Sequence, residues 1–495
     1  MGWKEAAEPV LTRMPTVERP EGHVPFKRKL MWTGGVLVLY FFLTSVPLWG
    51  LPAGGGQDLF GQFRAILAGG QFTVLHLGIG PIVTASIVLQ LLGGANLLGL
   101  DTDDPRDQVL YQGLQKLLVV FMIVLTGLPM VLSGFLPADQ ALAQQLGIGI
   151  AGVQGLLFAQ IFVGGLLILF MDEVISKWGV GSGIGLFIVA GVSESLVTGI
   201  IGPRNGLVFN WAGMVLGDTA LSVDNVLGSQ GQVIALITTL AIFVIVVYAE
   251  SVRIEIPLSH ARVKGARGRF PVKLIYASVL PMILVRALQA NLQFLGRIIV
   301  SQAGSPTADG RVVIEILGVQ MPWLGLYSQT AQGPNSPVGG LFYYMAPIRQ
   351  PTDWMWWLAS GPSQEIWQVV TRVTVDLTFM IIGGAIFAIF WVETADMGPR
   401  STAKQIQNSG MQIPGFRQNV GVIEKVMERY IPHVTVIGGA LVGLLAVMAN
   451  MLGTIGGVSG TGLLLAVSIT YKLYEEIAEE QLMEMHPMMR QMFGD

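Results

Sequence analysis

Cysteine is absent from all 495 residues. No disulfide framework, thiolate nucleophile or cysteine metal site can therefore be built from this chain. Charge is scarce as well. Asp, Glu, Lys and Arg make up 12% of the residues, about half the share of a soluble globular domain. With 52% apolar residues and a mean hydropathy of +0.61, the composition excludes a soluble enzyme and implies a polytopic membrane protein. The formal net charge of -3 says nothing about partners. The five histidines, His23, His76, His260, His433 and His486, fall in loops or at the ends of apolar runs and form no HExxH pattern. Gly457-Val458-Ser459-Gly460 matches the GxSG of intramembrane serine proteases, yet no apolar run supplies a histidine at depth to activate Ser459. GVGSGIG lacks the dinucleotide-binding spacing, and no Walker loop is present. No catalysis, cofactor or metal is expected.

What the chain has is long apolar runs. Ten stretches suit spanning helices, at roughly 30–50, 74–94, 115–135, 148–171, 180–200, 231–250, 272–295, 373–394, 434–454 and 459–476. The runs are continuous and do not alternate, which disfavours a β-barrel. The fold class is thus an all-α polytopic membrane protein with ten transmembrane helices. Five spans on each side of a polar linker predict two pseudo-symmetric inverted halves. The expected organisation is a cytoplasmic amphipathic segment at 1–29, which is too polar for a cleaved signal peptide, then a first half at 30–202. An external linker follows at 203–230, then a second half at 231–477 and a cytoplasmic tail at 478–495. Lys27, Arg28 and Lys29, the basic loop at 251–273, and Arg400, Lys404, Arg417, Lys425 and Arg429 in the loop at 395–433 share one side in this count. That side is cytoplasmic by the positive-inside rule, and both termini lie there. The Trp-, Gly- and Pro-rich stretch 296–370 is read as a folded external cap or interfacial anchor, with a partner site as the alternative.

Between the first two runs lies a short helical pattern. Asp58 can cap it; Leu59, Phe60, Phe63, Ile66 and Leu67 fall on one face; Gly69-Gly70 ends it. Eleven residues reach about 16 Å, half a bilayer. The pattern alone fits either an interfacial helix or a movable plug hinged on glycines. The next run opens with Gly78-Ile79-Gly80-Pro81, a loosened entry that suits a kink, close packing or the wall of a cavity. Arg286 lies mid-span and needs water or a carboxylate, with Glu194 or Asp376 as candidates; Arg372 and Asp376 have i, i+4 spacing for a pair. The cationic loop between Arg253 and Lys273 suits topology, anionic lipid or a finger that grips nucleic-acid phosphate.

LGIGPIVTASIVLQLL, DEVISKWGVGSGIGLFIVAGVS, VYAESVRIEIPLSHARVKGARGRFPVK, FWVETADMGPRSTAKQI and GTGLLLAVSITYKLYEE closely resemble the SecY protein-conducting channel family in its archaeal form. The resemblance spans nearly the whole chain, except 203–230 and 296–370. It implies a passive, non-enzymatic channel for secretory and membrane polypeptides. By motif match the pore ring comprises Ile79, Val83, Ile184, Ile188, Ile283 and Leu465, and the stub at 58–68 is the plug. Thr84, Thr126 and Asn291 match a polar cluster at a sideways gate that opens to membrane lipid. Arg262, Lys264, Arg267, Arg269 and Arg417 match ribosome-docking loops. The implied partners are SecE, a small beta-type subunit, the ribosome, signal sequences and nascent chains. Arg286 departs from the small apolar residue the family leads one to expect, and one turn past Ile283 it is expected to face the aqueous funnel. A secondary transporter is the rival reading, since it too has inverted repeats and broken helices, but it should carry polar ligands at the breaks.

Overall fold

The computed structural model describes residues 8–22, 24–52, 64–94, 99, 105–203, 206–216, 232–260, 267–277, 280–307, 310–316, 318–330, 333–357, 364–395, 397–408, 411–412 and 420–485. A helix occupies each of the ten apolar runs. They are α1 (Phe26–Ser45), α2 (Gly80–Gly94), α3 (Pro105–Leu132), α4 (Gly149–Trp178) and α5 (Gly183–Ile201), then α6 (Val233–Ser251), α7 (Leu280–Ala303), α8 (Ile366–Thr394), α9 (Val420–Leu452) and α10 (Gly460–Met485). Helices dominate because uncharged runs satisfy their own backbone groups only by helical hydrogen bonds. Among the described residues seven helices, α3 to α9, are long and apolar enough to cross a membrane. α2 has 15 residues, while α1 and α10 carry charged turns at one end, Lys27-Arg28-Lys29 and Glu475 to Glu480.

The helix limits differ from the apolar runs where a local contact intervenes. α2 starts at Gly80 rather than 74 because Ile79 N–H donates to Leu67 O at 2.7 Å. Gly78 turns the chain there at φ +54°, and a Cβ on it would lie 2.1 Å from that carbonyl. α7 starts late because the chain before it, Arg267–Lys273, is a β-strand. α4 runs on to Trp178 and turns directly into α5, whose entry is held by Ser182 and by Asp172 Oδ1, which accepts from Ile184 N–H at 2.9 Å. The 203–230 linker includes a short helix, Leu207–Leu216.

Two small antiparallel sheets accompany the helices. β1 (Arg253–His260) and β2 (Arg267–Lys273) form a hairpin paired from Arg253↔Lys273 to Ser259↔Arg267. A second sheet fills much of the expected cap: β3 (Gly304–Pro306), β4 (Arg311–Ile316), β5 (Val319–Gln320), β6 (Leu326–Thr330) and β7 (Gly333–Gly339), in the order β3-β4-β6-β7 with β5 beside β4. β8 (Met411–Gln412) adds to the edge of β1. The alternating Ile254, Ile256 and Leu258 of β1 carry the period-two pattern of a strand.

α8 and α9 pack most closely. Gly439 and Gly443 are four apart on one face of α9. A Cβ there would come within 2.5 Å of Gly384 O and 2.3 Å of Met380 O. This is the small-residue contact by which membrane helices let their backbones touch. The remaining packing brings α2 against α3, α7 and α8, and α10 against α5, α6 and α9.

Candidate pore and lateral gate

The six ring candidates share one extended apolar core, and Val83, Ile184 and Ile283 meet at a common cavity. Ile79 and Val83 (α2 and its entry), Ile188 (α5), Ile283 (α7) and Leu465 (α10) are buried in one apolar cluster, and Ile184 packs on it half-exposed. A cavity of about 310 Å³ reaches this cluster from one side, lined by Val83, Ile184 and Ile283 and by the polar Ser86, Gln90 and Gln115. Those polar residues have no motif that marks them; helical spacing from Val83 is the only signal that would have found Ser86 and Gln90.

The end of the stub lies against Ile79. It is helical over Arg64–Leu67, and Ile66 and Leu67 are buried in the same cluster as the ring. Its last residues are pinned by the bond from Ile79 and by Tyr40, whose hydroxyl donates to Ala68 O at 3.1 Å. The Tyr40 ring stacks on Phe187 of α5, with centroids 4.9 Å apart. Asp58, Leu59, Phe60 and Phe63 lie outside the described residues.

Two of the three gate candidates meet. Asn291 Nδ2 of α7 donates to Thr84 Oγ1 of α2 at 2.9 Å. Thr126 of α3 is half-buried and outside that bond. Among the described residues, this bond joins α2 and α7 through two neutral side chains.

Arg286 does not face an open funnel. It is 1% exposed, and Asp376 is 0% exposed. Arg286 Nη1 lies 3.6 Å from Asp376 Oδ1 and donates to Gln289 Oε1 at 2.6 Å, while its Nε donates to Thr461 Oγ1 at 3.1 Å. Gln289 Nε2 donates to Asp376 at 3.0 Å, and Asp376 also accepts from Ile348 N–H at 3.3 Å. Asn450 Nδ2 donates to Thr461 Oγ1 at 3.1 Å. A guanidinium taken out of water must be paired and hydrogen-bonded in this way. The partner is thus Asp376, not Glu194. The i, i+4 pair with Arg372 does not form: Arg372 Nη2 lies 3.7 Å from Asp353 and donates to Pro347 O at 2.8 Å. Gln289 was legible at i+3 from Arg286; Thr461 and Asn450 come from distant helices and leave no local signal.

Of the basic loop residues, Arg269 is exposed on β2 and ion-paired with Glu255. The backbone of Arg267 belongs to β2; Arg262, Lys264 and Arg417 lie outside the described residues. At the base of the hairpin Lys273 pairs with Glu475 of α10, and Lys29 of α1 pairs with Glu480.

Comparison with known proteins gives these features a family. Residues 73–474 match the SecY family model, and 38–71 match the plug domain of Sec61p. The protein translocase subunit SecY of Haloarcula marismortui is 69% identical over the full length of both chains, and that of Archaeoglobus fulgidus is 46% identical over 99% of this chain and 98% of its own. A solved protein-conducting channel superposes with a TM-score of 0.77 at 36% identity, covering 97% of this chain and 98% of the other. Sec61 from a canine ribosome-channel complex of the endoplasmic reticulum gives 0.75 at 36% identity, covering 97% and 98%. The stub, the ring candidates and the loosened α2 entry fall within those matches, and the chain belongs to the SecY family, a non-enzymatic channel subunit of protein translocase.

Proposed function

We propose that this chain moves polypeptides through the ring of Ile79, Val83, Ile184, Ile188, Ile283 and Leu465. The observation that carries this reading is that Val83, Ile184 and Ile283 line one cavity while the neighbouring Ile79 is bonded to the end of the stub. An apolar constriction excludes ions by dewetting, yet it can yield around any side chain. The stub at 58–68 acts as the plug. The seam between α2 and α7, with Thr84, Asn291 and Thr126, opens sideways so that a hydrophobic segment can partition into lipid. Residues 30–202 and 231–477 serve as the two inverted halves, joined by 203–230. The loops with Arg262, Lys264, Arg267, Arg269 and Arg417 dock the ribosome through phosphate contacts; a similar channel has been solved in a ribosome complex. SecE and a small beta-type subunit complete a heterotrimer in the cell membrane, with the segment 1–29 and the tail 478–495 on the cytoplasmic side. The transporter reading is disfavoured because the helix break at Gly78 presents Ile79, while the buried charges of Arg286 and Asp376 are engaged with each other.

The test is a photo-crosslinking residue at Ile188, with membranes loaded with ribosomes stalled on a secretory chain. Val244, 64% exposed on α6, is the control. Crosslinks to the nascent chain from Ile188 and none from Val244 are expected. Docked ribosomes with no crosslink from Ile188 would overturn the pore axis.

A further inference from the structure

The buried charge cluster has a fixed relation to the ring. Arg286 is three residues beyond Ile283 on α7, and Thr461 is four residues before Leu465 on α10. α7 leads out of the hairpin whose base is tied to the far end of α10, so the two helices run in opposite directions. One turn after Ile283 and one turn before Leu465 are therefore the same level. The Arg286 Nε to Thr461 Oγ1 bond at 3.1 Å crosses between the helices at that level. Each end of the bond is held by further partners. Gln289 and Asp376 orient the guanidinium, and Asn450 both donates to the Thr461 hydroxyl and accepts from its N–H at 3.0 Å. The planar fork of an arginine holds such a geometry where a lysine would not.

We propose that Arg286, oriented by Asp376 and Gln289, is a positioning residue that sets the α7–α10 spacing at the constriction and so the tightness of the resting barrier. This rests on the reading of the ring as that barrier. Thr461→Val removes the cross-tie but leaves Arg286 paired with Asp376; Thr461→Ser keeps the hydroxyl. The chain has no cysteine, so spin labels at Leu288→Cys on α7 and Tyr474→Cys on α10, both exposed, are unique in it. In the reconstituted complex at rest, T461V is expected to broaden the label-to-label distance and to raise ion leak across a planar bilayer about 3- to 20-fold, the population change of one lost interhelical hydrogen bond. T461S is expected to restore both. Arg286→Lys, which keeps the charge but loses the fork, should behave like T461V. Unchanged spacing and leak in T461V would overturn the proposal. So would failure of both T461V and R286K to accumulate in the membrane, since that would make the cluster a folding element. The distance measurement needs no translocating chain, so the ring reading fails separately, through Ile188.

Discussion

Removing Asp376 alone should damage the protein more than removing the whole ion pair. The Nη1–Oδ1 separation of 3.6 Å gives a gross attraction of about 4–5 kcal/mol at an effective dielectric of about 20. Both residues are almost inaccessible to solvent, so Asp376→Leu leaves a buried guanidinium with only neutral partners. Breaking one side of a buried pair costs about 3–5 kcal/mol, whereas replacing both sides with apolar residues is often close to neutral. Arg286→Met with Asp376→Leu should therefore recover most of the loss, with a coupling of about 2 kcal/mol or more between the two positions. The assay is the thermal midpoint of the purified complex, followed by loss of its monodisperse peak, for the wild type, both single variants and the double. A double variant as unstable as D376L, or additive with R286M, would refute the reasoning.

Other outcomes follow from single contacts. Asn291→Leu removes the neutral bond to Thr84 across the α2–α7 seam, worth about 0.6–1.7 kcal/mol, and should raise export of a reporter with a weakened signal sequence without lowering the amount of channel. Gly443→Leu forces a side chain against Met380 O, where even a Cβ would sit 2.3 Å away; separating α8 from α9 should cost about 1–3 kcal/mol or more, read as a lower thermal midpoint, whereas Gly155→Ala, which meets nothing within 4 Å, should leave it unchanged. The Glu8 carboxyl is held below the ordinary carboxylate range by its hydrogen bond from Arg106. A depressed carboxylate pKa means that the contact is intact at neutral pH and is lost only as pH falls through the lowered value, so the protection of the amides at residues 8–11, relative to their intrinsic exchange at each pH, should fall there.

The existence of the ten helices was legible because uncharged runs of bilayer length have few alternatives. Their limits were not, since those depend on contacts from elsewhere in the chain. Leu67 O delays α2 to Gly80, and the β1–β2 pairing delays α7. The hairpin itself was written in the alternation of Ile254, Ile256 and Leu258, but the basic residues of the loop dominate a reading by charge. The ring could be named only through the family resemblance; no spacing rule joins Ile79, Ile188 and Leu465 across three helices. Arg286 announced itself by its cost in a span, but its choice between Glu194 and Asp376 was decided by packing. The i, i+4 rule for Arg372 failed because Asp353 and the Pro347 carbonyl offer partners outside the helix.

The pairing of β8 with β1, Ser259↔Gln412 and His260↔Met411, joins two loops far apart in the chain into one mechanical part. β1 leads out of α6, β2 leads into α7, β8 lies between α8 and α9, and Lys273 holds α10. A hand on either loop therefore pulls on helices throughout the second half of the chain. The two loops are also not interchangeable modules. A chimera that takes one of them from a related channel breaks the shared edge, whereas a chimera that takes both preserves it, so substitutions in β1 and β8 should be inherited together.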